Sequence, residues 1–137
     1  MTLTVADANA ILADNFAPWV LDLGLSVTAL DATHAVLRLP WSSRLAREGG
    51  ALSGQAVMAA ADTATVIAVS AASGGYRPMT TVQQSVTFRR PVLGADSLFT
   101  ARVAKLGRSM AFTDIEVTLA DTSTQVAQAS TVYALLG

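Results

Sequence analysis

The stretch Ser53–Gly75, SGQAVMAAADTATVIAVSAASGG, decides how the rest of the chain must be arranged. A serine suited to capping opens it and the pair Gly74 and Gly75 closes it, which predicts a helix of about twenty residues. Between those ends the residues are apolar nearly all the way round. Such a helix must be buried on most sides, in a bilayer or inside protein. Asp62 stands near the middle, where insertion into a bilayer costs about 2.5–3.5 kcal/mol, and neither flank carries a strong basic anchor. No membrane partner is expected, and the helix reads as the core of a folded domain.

The flanking sequence supplies a wrapping for it. Downstream, Thr80–Arg90, Leu98–Leu106, Ser109–Leu119 and Gln125–Leu136 alternate or run apolar, punctuated by Pro91–Gly94, Gly107–Arg108 and Asp121–Ser123. Four consecutive strands joined by short turns predict an antiparallel sheet. Upstream, a polar loop spans Ser42–Ser53, and before it Leu25–Asp31 and His34–Trp41, parted by Ala32–Thr33, read as a hairpin. Between Thr4 and Asn15, Val5, Ala8, Ile11 and Leu12 recur at helical spacing, with Thr4 as the cap. The expected order is α-β-β-α-β-β-β-β. This is the α+β class, one domain over residues 1–137, with an antiparallel sheet wrapped around a long central helix.

Composition agrees and excludes other classes. The 137 residues are 52% hydrophobic and 14% charged, and a domain of this size buries roughly 65–70% of its unfolded surface, enough to fold without staples. There is no cysteine, which removes disulfide scaffolds and thiolate zinc sites. The single histidine, His34, removes a multi-histidine metal site and, on an early strand, reads as structural. No metal is expected. The first basic residue is Arg38, so the positive region of a signal or transit peptide is missing and a cytoplasmic location is expected.

A net charge of −1 conceals an uneven distribution. Residues 1–37 hold Asp7, Asp14, Asp22 and Asp31 and no base, whereas residues 77–108 hold Arg77, Arg89, Arg90, Arg102, Lys105 and Arg108 against Asp96 alone. An anion could be met there, or the arginines simply face solvent from a sheet. Nucleic acid is not expected, because the pI is about 5.6 and duplex binding calls for a basic domain.

Two residues stand out chemically. Asp62 is a carboxylate among alanine, threonine, valine and methionine, and a buried unpaired charge costs several kcal/mol. It is either a structural knot, bonded to Thr63, Thr65 or a loop amide, or a base or nucleophile in a mostly dry pocket. Gly54 is the first helical residue after the Ser53 cap, so its N–H is an unpaired donor at the positive end of the helix dipole. It serves either close packing or an oxyanion, which its missing side chain would admit. Eight residues separate the two, roughly 12 Å along a helix axis. One carbonyl cannot touch both. A helix packed antiparallel on its own copy would bring Gly54 of one chain beside Asp62 of the other, so a catalytic pair requires at least a dimer.

The run GALSGQAVMAAADTATVIA resembles the central-helix signature of hotdog-fold acyl-CoA thioesterases, in the phenylacetate-pathway (PaaI-like) branch, which reads G-x-x-H-G-G, six residues, then D. Gly50, Ser53, Gly54, Gln55 and Asp62 occupy those positions. The segment VTFRRPVLGADSLFTARVAKLGRSMAFTDIEVTLAD is similar to the family's strands, with its F-x-x-P turn and K-x-G-R-S hairpin, and the resemblance covers about residues 16–135. It implies a hotdog fold, Asp62 as general base or nucleophile, Gly54 N–H as oxyanion donor and Thr81 as a hydroxyl that orients water or the carboxylate. It further implies that Phe88, Arg89, Arg90, Lys105, Gly107, Arg108 and Ser109 hold the pantetheine and phosphates of coenzyme A, which agrees with the charge reading.

The sequence departs from the family at three places beside the reacting carbonyl. Ser53 replaces the family histidine, Gln55 its second glycine, and Arg47 stands where relatives carry Asn or Gln. Arg47 or Gln55 is the candidate substitute for the missing groups. The expected function is hydrolysis of an acyl-CoA by a homodimer or homotetramer (a dimer of dimers), without cofactor. The alternatives are a non-catalytic acyl-CoA or acyl-chain binding dimer and a hotdog hydratase or dehydratase, the last disfavoured because His34 is poorly placed for it.

Overall fold

The computed structural model describes residues 2–137. In chain order it comprises α1 (Val5–Asn15), α2 (Pro18–Leu21), β1 (Ser26–Leu30), β2 (His34–Leu39), a 3-10 turn (Ser43–Leu45), α3 (Gly54–Ala72), β3 (Met79–Phe88), β4 (Ser97–Leu106), β5 (Met110–Leu119) and β6 (Gln125–Leu135). The six strands form one antiparallel sheet around α3, so the α+β architecture stands as expected. The four-residue α2, started by Pro18 at a position where its missing N–H costs nothing, is an addition.

The strand order corrects one expectation. The sheet runs β1-β2-β4-β5-β6-β3, so β3 and β4 are not neighbours, and β3 instead pairs with β6 at the far edge. Residues 89–96 carry the chain back past β6 and β5. Eight residues reach roughly 26 Å, ample for three strand gaps of about 4.8 Å, so connection length alone does not distinguish a turn from a crossover. The crossover is held down by Leu52 N–H donating to the Val92 carbonyl (2.9 Å), with Val92 buried.

Helix α3 is apolar and long enough to cross a membrane, yet 72% of its apolar window is buried within the protein. Leu37, Leu39, Phe99 and Val117 project onto it from the sheet and are fully buried, each contributing about 1.5–3 kcal/mol. Its threonines fit because their hydroxyls bond back along the helix, Thr63 to the Ala59 carbonyl (2.8 Å) and Thr65 to that of Ala61 (3.0 Å). Thr65 also meets Thr131 of β6 (2.9 Å). The N-terminal helix is fixed by a reciprocal cap between Thr4 and Asp7.

Candidate active site

Helix α3 runs antiparallel to β3, and successive contacts mark the alignment. Gly54 lies by Phe88, the Met58 carbonyl accepts from Gln84 Nε2 (3.2 Å), and Asp62 meets Thr81. Asp62 is half-buried, and its Oδ1 accepts from Thr81 Oγ1 (2.9 Å) and from the hydroxyl of Tyr133, which also lies 2.9 Å from the Asp62 carbonyl oxygen. The local partners weighed from sequence, Thr63 and Thr65, are not used, because both hydroxyls are committed to helix carbonyls. Among the described residues no donor reaches Oδ2. One oxygen is anchored by two strands and the other carries no such bond.

Sheet register explains this convergence. Thr81 and Tyr133 are directly paired across β3 and β6, so their side chains share the face that looks at α3. Strict alternation back from Phe88 through Val86 and Gln84 would have turned Val82 inward. An irregularity between Thr81 and Gln83 inserts Val82 as an extra residue, leaves it 55% exposed and gives the inward place to Thr81.

Tyr133 is the functional-site residue that sequence reasoning missed. The available signal was its phase on β6, in line with Ala127, Ala129 and Thr131, since a tyrosine turned into a core needs an acceptor for its hydroxyl. It is 2% exposed. Burial foremost, and then its bond to Asp62, pushes the phenol well above its ordinary value, so it keeps its proton and donates to the carboxylate.

Around Gly54 the arrangement is different. Ser53 caps the helix through Oγ, accepting from Ala56 N–H (3.2 Å). The Gly54 N–H has no acceptor among the described residues. A Cβ at Gly54 would stand 3.4 Å from Phe88 Cζ, an ordinary contact, so the chain itself does not require glycine there. Beside it opens a cavity of about 430 Å³ whose floor includes Leu52, Val57, Val92, Val126 and Ala127, with Arg47, Arg89 and Arg90 also lining it. Arg89 spends one nitrogen on Gln128 Oε1 (2.8 Å) and Arg47 one on the Glu48 carbonyl (2.7 Å). Gln55 lines a separate cavity with Trp19, Leu23 and Arg44.

The residues expected to hold coenzyme A fall into two groups. Phe88, Arg89 and Arg90 adjoin Gly54, whereas Lys105 near the end of β4 and Gly107, Arg108 and Ser109 of the β4–β5 turn lie at the opposite end of the sheet. There the Leu135 N–H donates to the Ser109 carbonyl, in line with the Met79 end of β3. That is the end toward which Asp62 and Thr81 lie. His34 opens β2, with Nδ1 2.7 Å from Asp31 Oδ1, and pairs with Arg102 of β4.

Known proteins share this architecture. The structure of thioesterase superfamily member 2 from zebra fish superposes with a TM-score of 0.87 at 24% identity, covering 98% of this chain and 100% of that one. The E. coli PaaI protein from the phenylacetic acid degradation operon gives 0.83 at 20% identity, covering 97% and 96%. The smu.793 protein of Streptococcus mutans, solved bound to acetyl CoA, gives 0.75 at 20% identity, covering 82% and 89%. Among curated proteins none matches the sequence. These likenesses establish the hotdog fold, and the family model described as thioesterase superfamily matches residues 49–125, from the loop before α3 to the first residue of β6. The chain belongs to the thioesterase superfamily.

Proposed function

We propose that the protein hydrolyses an acyl-CoA as a homodimer, with each site built from both subunits. The observation that carries this reading is the division of labour along α3. An anchored carboxylate with a free oxygen lies about 12 Å from an unpaired helix N–H beside an apolar cavity. Neither half is a site alone. A two-fold axis that lays β3 against its copy in antiparallel fashion sets Gly54 of one chain opposite Asp62 of the other. The same operation moves the Lys105–Ser109 turn of one subunit toward Phe88, Arg89 and Arg90 of its partner, which reunites the two basic groups.

In that arrangement the Gly54 N–H donates to the thioester oxygen, and the helix dipole favours the negative charge that grows there. Asp62 Oδ2 takes a proton from water while the water oxygen bonds to the carbonyl carbon. Collapse of the tetrahedral adduct breaks the C–S bond and releases the acid and the coenzyme A thiolate, which the proton neutralises. Direct attack by Asp62 on the carbonyl carbon would instead break the C–S bond, release the coenzyme A thiolate and leave an anhydride. Water cleaves this to the acid and the free Asp62 carboxylate, and its second proton neutralises the thiolate. The arginines suit the phosphates of coenzyme A, and the acetyl CoA held by the Streptococcus mutans neighbour supports that ligand class.

Release of free thiol from a panel of acyl-CoAs tests the reading. Turnover that disappears in Asp62→Asn supports it. Tight binding of acyl-CoA without thiol release would instead make this a binding dimer that lacks the family histidine, and hydration of an enoyl-CoA would make it a hydratase.

A further inference from the structure

We infer that Tyr133 is the positioning residue that holds Asp62 through Oδ1 alone and so leaves its Oδ2 free for reaction. The inference rests on the reading of Asp62 as base or nucleophile and adds a group on a different strand. Three observations carry it. The tyrosine is almost wholly buried on the inner face of the sheet, and its hydroxyl reaches the same carboxylate oxygen as Thr81. The hydroxyl also lies 2.9 Å from the Asp62 backbone carbonyl, which ties the residue's main chain and side chain to one point on β6. Finally, Asp62 is the one charged residue on α3, and β3 and β6 carry none. Besides Asp62 itself, Tyr133 is the only titratable group on α3, β3 and β6. Arg102 and Lys105 of β4 and Asp114 and Glu116 of β5 stand on the outer face of the sheet. The phenol stays protonated because burial disfavours the phenolate.

The consequence is positional. Two donors on one oxygen stop the carboxylate rotating, which leaves the second oxygen aimed in one direction. A tyrosine serving only as packing would not do this.

The test reads kcat and KM separately with an acyl-CoA that the protein hydrolyses. Tyr133→Phe is expected to lower kcat roughly tenfold, as befits the loss of one charge-assisted hydrogen bond, and to leave KM unchanged, because the phenol does not touch substrate. The phenylalanine variant removes a buried hydroxyl, so an isosteric change accompanies it. The chain has two tyrosines, so 3-fluorotyrosine incorporated into Tyr76→Phe labels Tyr133 alone, and its fluorine resonance is expected to shift when Asp62→Asn is introduced. A resonance that ignores Asp62→Asn, or a folded Tyr133→Phe that keeps its kcat, overturns the role of Tyr133. Full activity in Asp62→Asn would overturn the underlying reading of Asp62 and the inference with it.

Discussion

The two edges of the sheet are treated in opposite ways. At one edge β1 is only five residues long, and α1 lies against it. The Asn9 amide imitates a neighbouring strand there, accepting from Val27 N–H (2.9 Å) and donating to the Val27 carbonyl (3.0 Å). At the other edge β3 runs ten residues, exposes Val82 and Phe88 by more than half, and has no such cover among the described residues. Short, capped edges discourage further pairing, and long bare ones invite it. The chain therefore protects the edge remote from its chemistry and offers the edge that carries Thr81, which is where a second copy would complete the proposed site.

The sharpest break in that contrast comes from Asp62 at the open edge. Asp62→Asn should reduce turnover by at least roughly 10²-fold, the low end for loss of a general base, with the dimer intact. Unchanged turnover with a lowered melting temperature, measured on one preparation, would make the carboxylate a structural knot. Gly54→Ala should likewise fold, since its Cβ meets only ordinary contact with Phe88, yet lose most activity because a ligand oxygen is kept from the N–H. The edge itself is tested by Val82→Lys. A charge on the exposed bulge should drive the protein to monomer in light scattering and abolish thiol release, and an active monomer would sink the shared-site model.

The guarded edge should respond in stability, not in catalysis. Asn9→Ala removes both bonds to Val27 and should cost about 1–3 kcal/mol in denaturant unfolding, with kcat unchanged for the molecules that remain folded. A smaller effect, visible only in KM, is expected of the basic turn. Arg108→Ala should weaken acyl-CoA and blunt its salt dependence while sparing acyl-pantetheine, which lacks the nucleotide. The smallest is an acid effect at Asp96, which takes the Trp41 N–H (2.7 Å) and the Arg38 guanidinium, first the one and then the other holding its carboxyl below the usual range. A depressed folded value stabilises above the unfolded pKa and drains away as pH falls through the folded one. Asp96→Asn should therefore flatten the low-pH loss of melting temperature.

What was legible in the sequence follows from locality. The central helix announces itself by its cap, its closing glycines and its apolar girth, and strand alternation over ten residues is plain in Met110–Leu119. The pairing partner of β3 is not written nearby. Its crossover contains the same Pro and Gly that a tight turn would, so adjacency to β4 was the natural and mistaken reading. For the site, Asp62 is conspicuous as the lone charge in its helix, and Thr81 came through the family resemblance. The bulge at Val82, which gives Thr81 its inward place, depends on the ladder with β6 and leaves no mark in composition. Tyr133 lies 71 residues from Asp62, so only the assembled sheet brings it there.

That separation bears on how the protein matures. The carboxylate waits on a residue 71 positions further along the chain, and β3 has its strand partner only once β6 has docked. Pairings between segments so distant in the chain are slow to close, because loop entropy is spent before any contact repays it. Until then a long apolar helix and an unpaired strand stand open, the condition in which nascent chains aggregate. The Asp62 carboxylate is thus anchored only at the end of folding, and recovery of any thioesterase activity after dilution from denaturant should lag the return of helical signal by the time β6 takes to find its place.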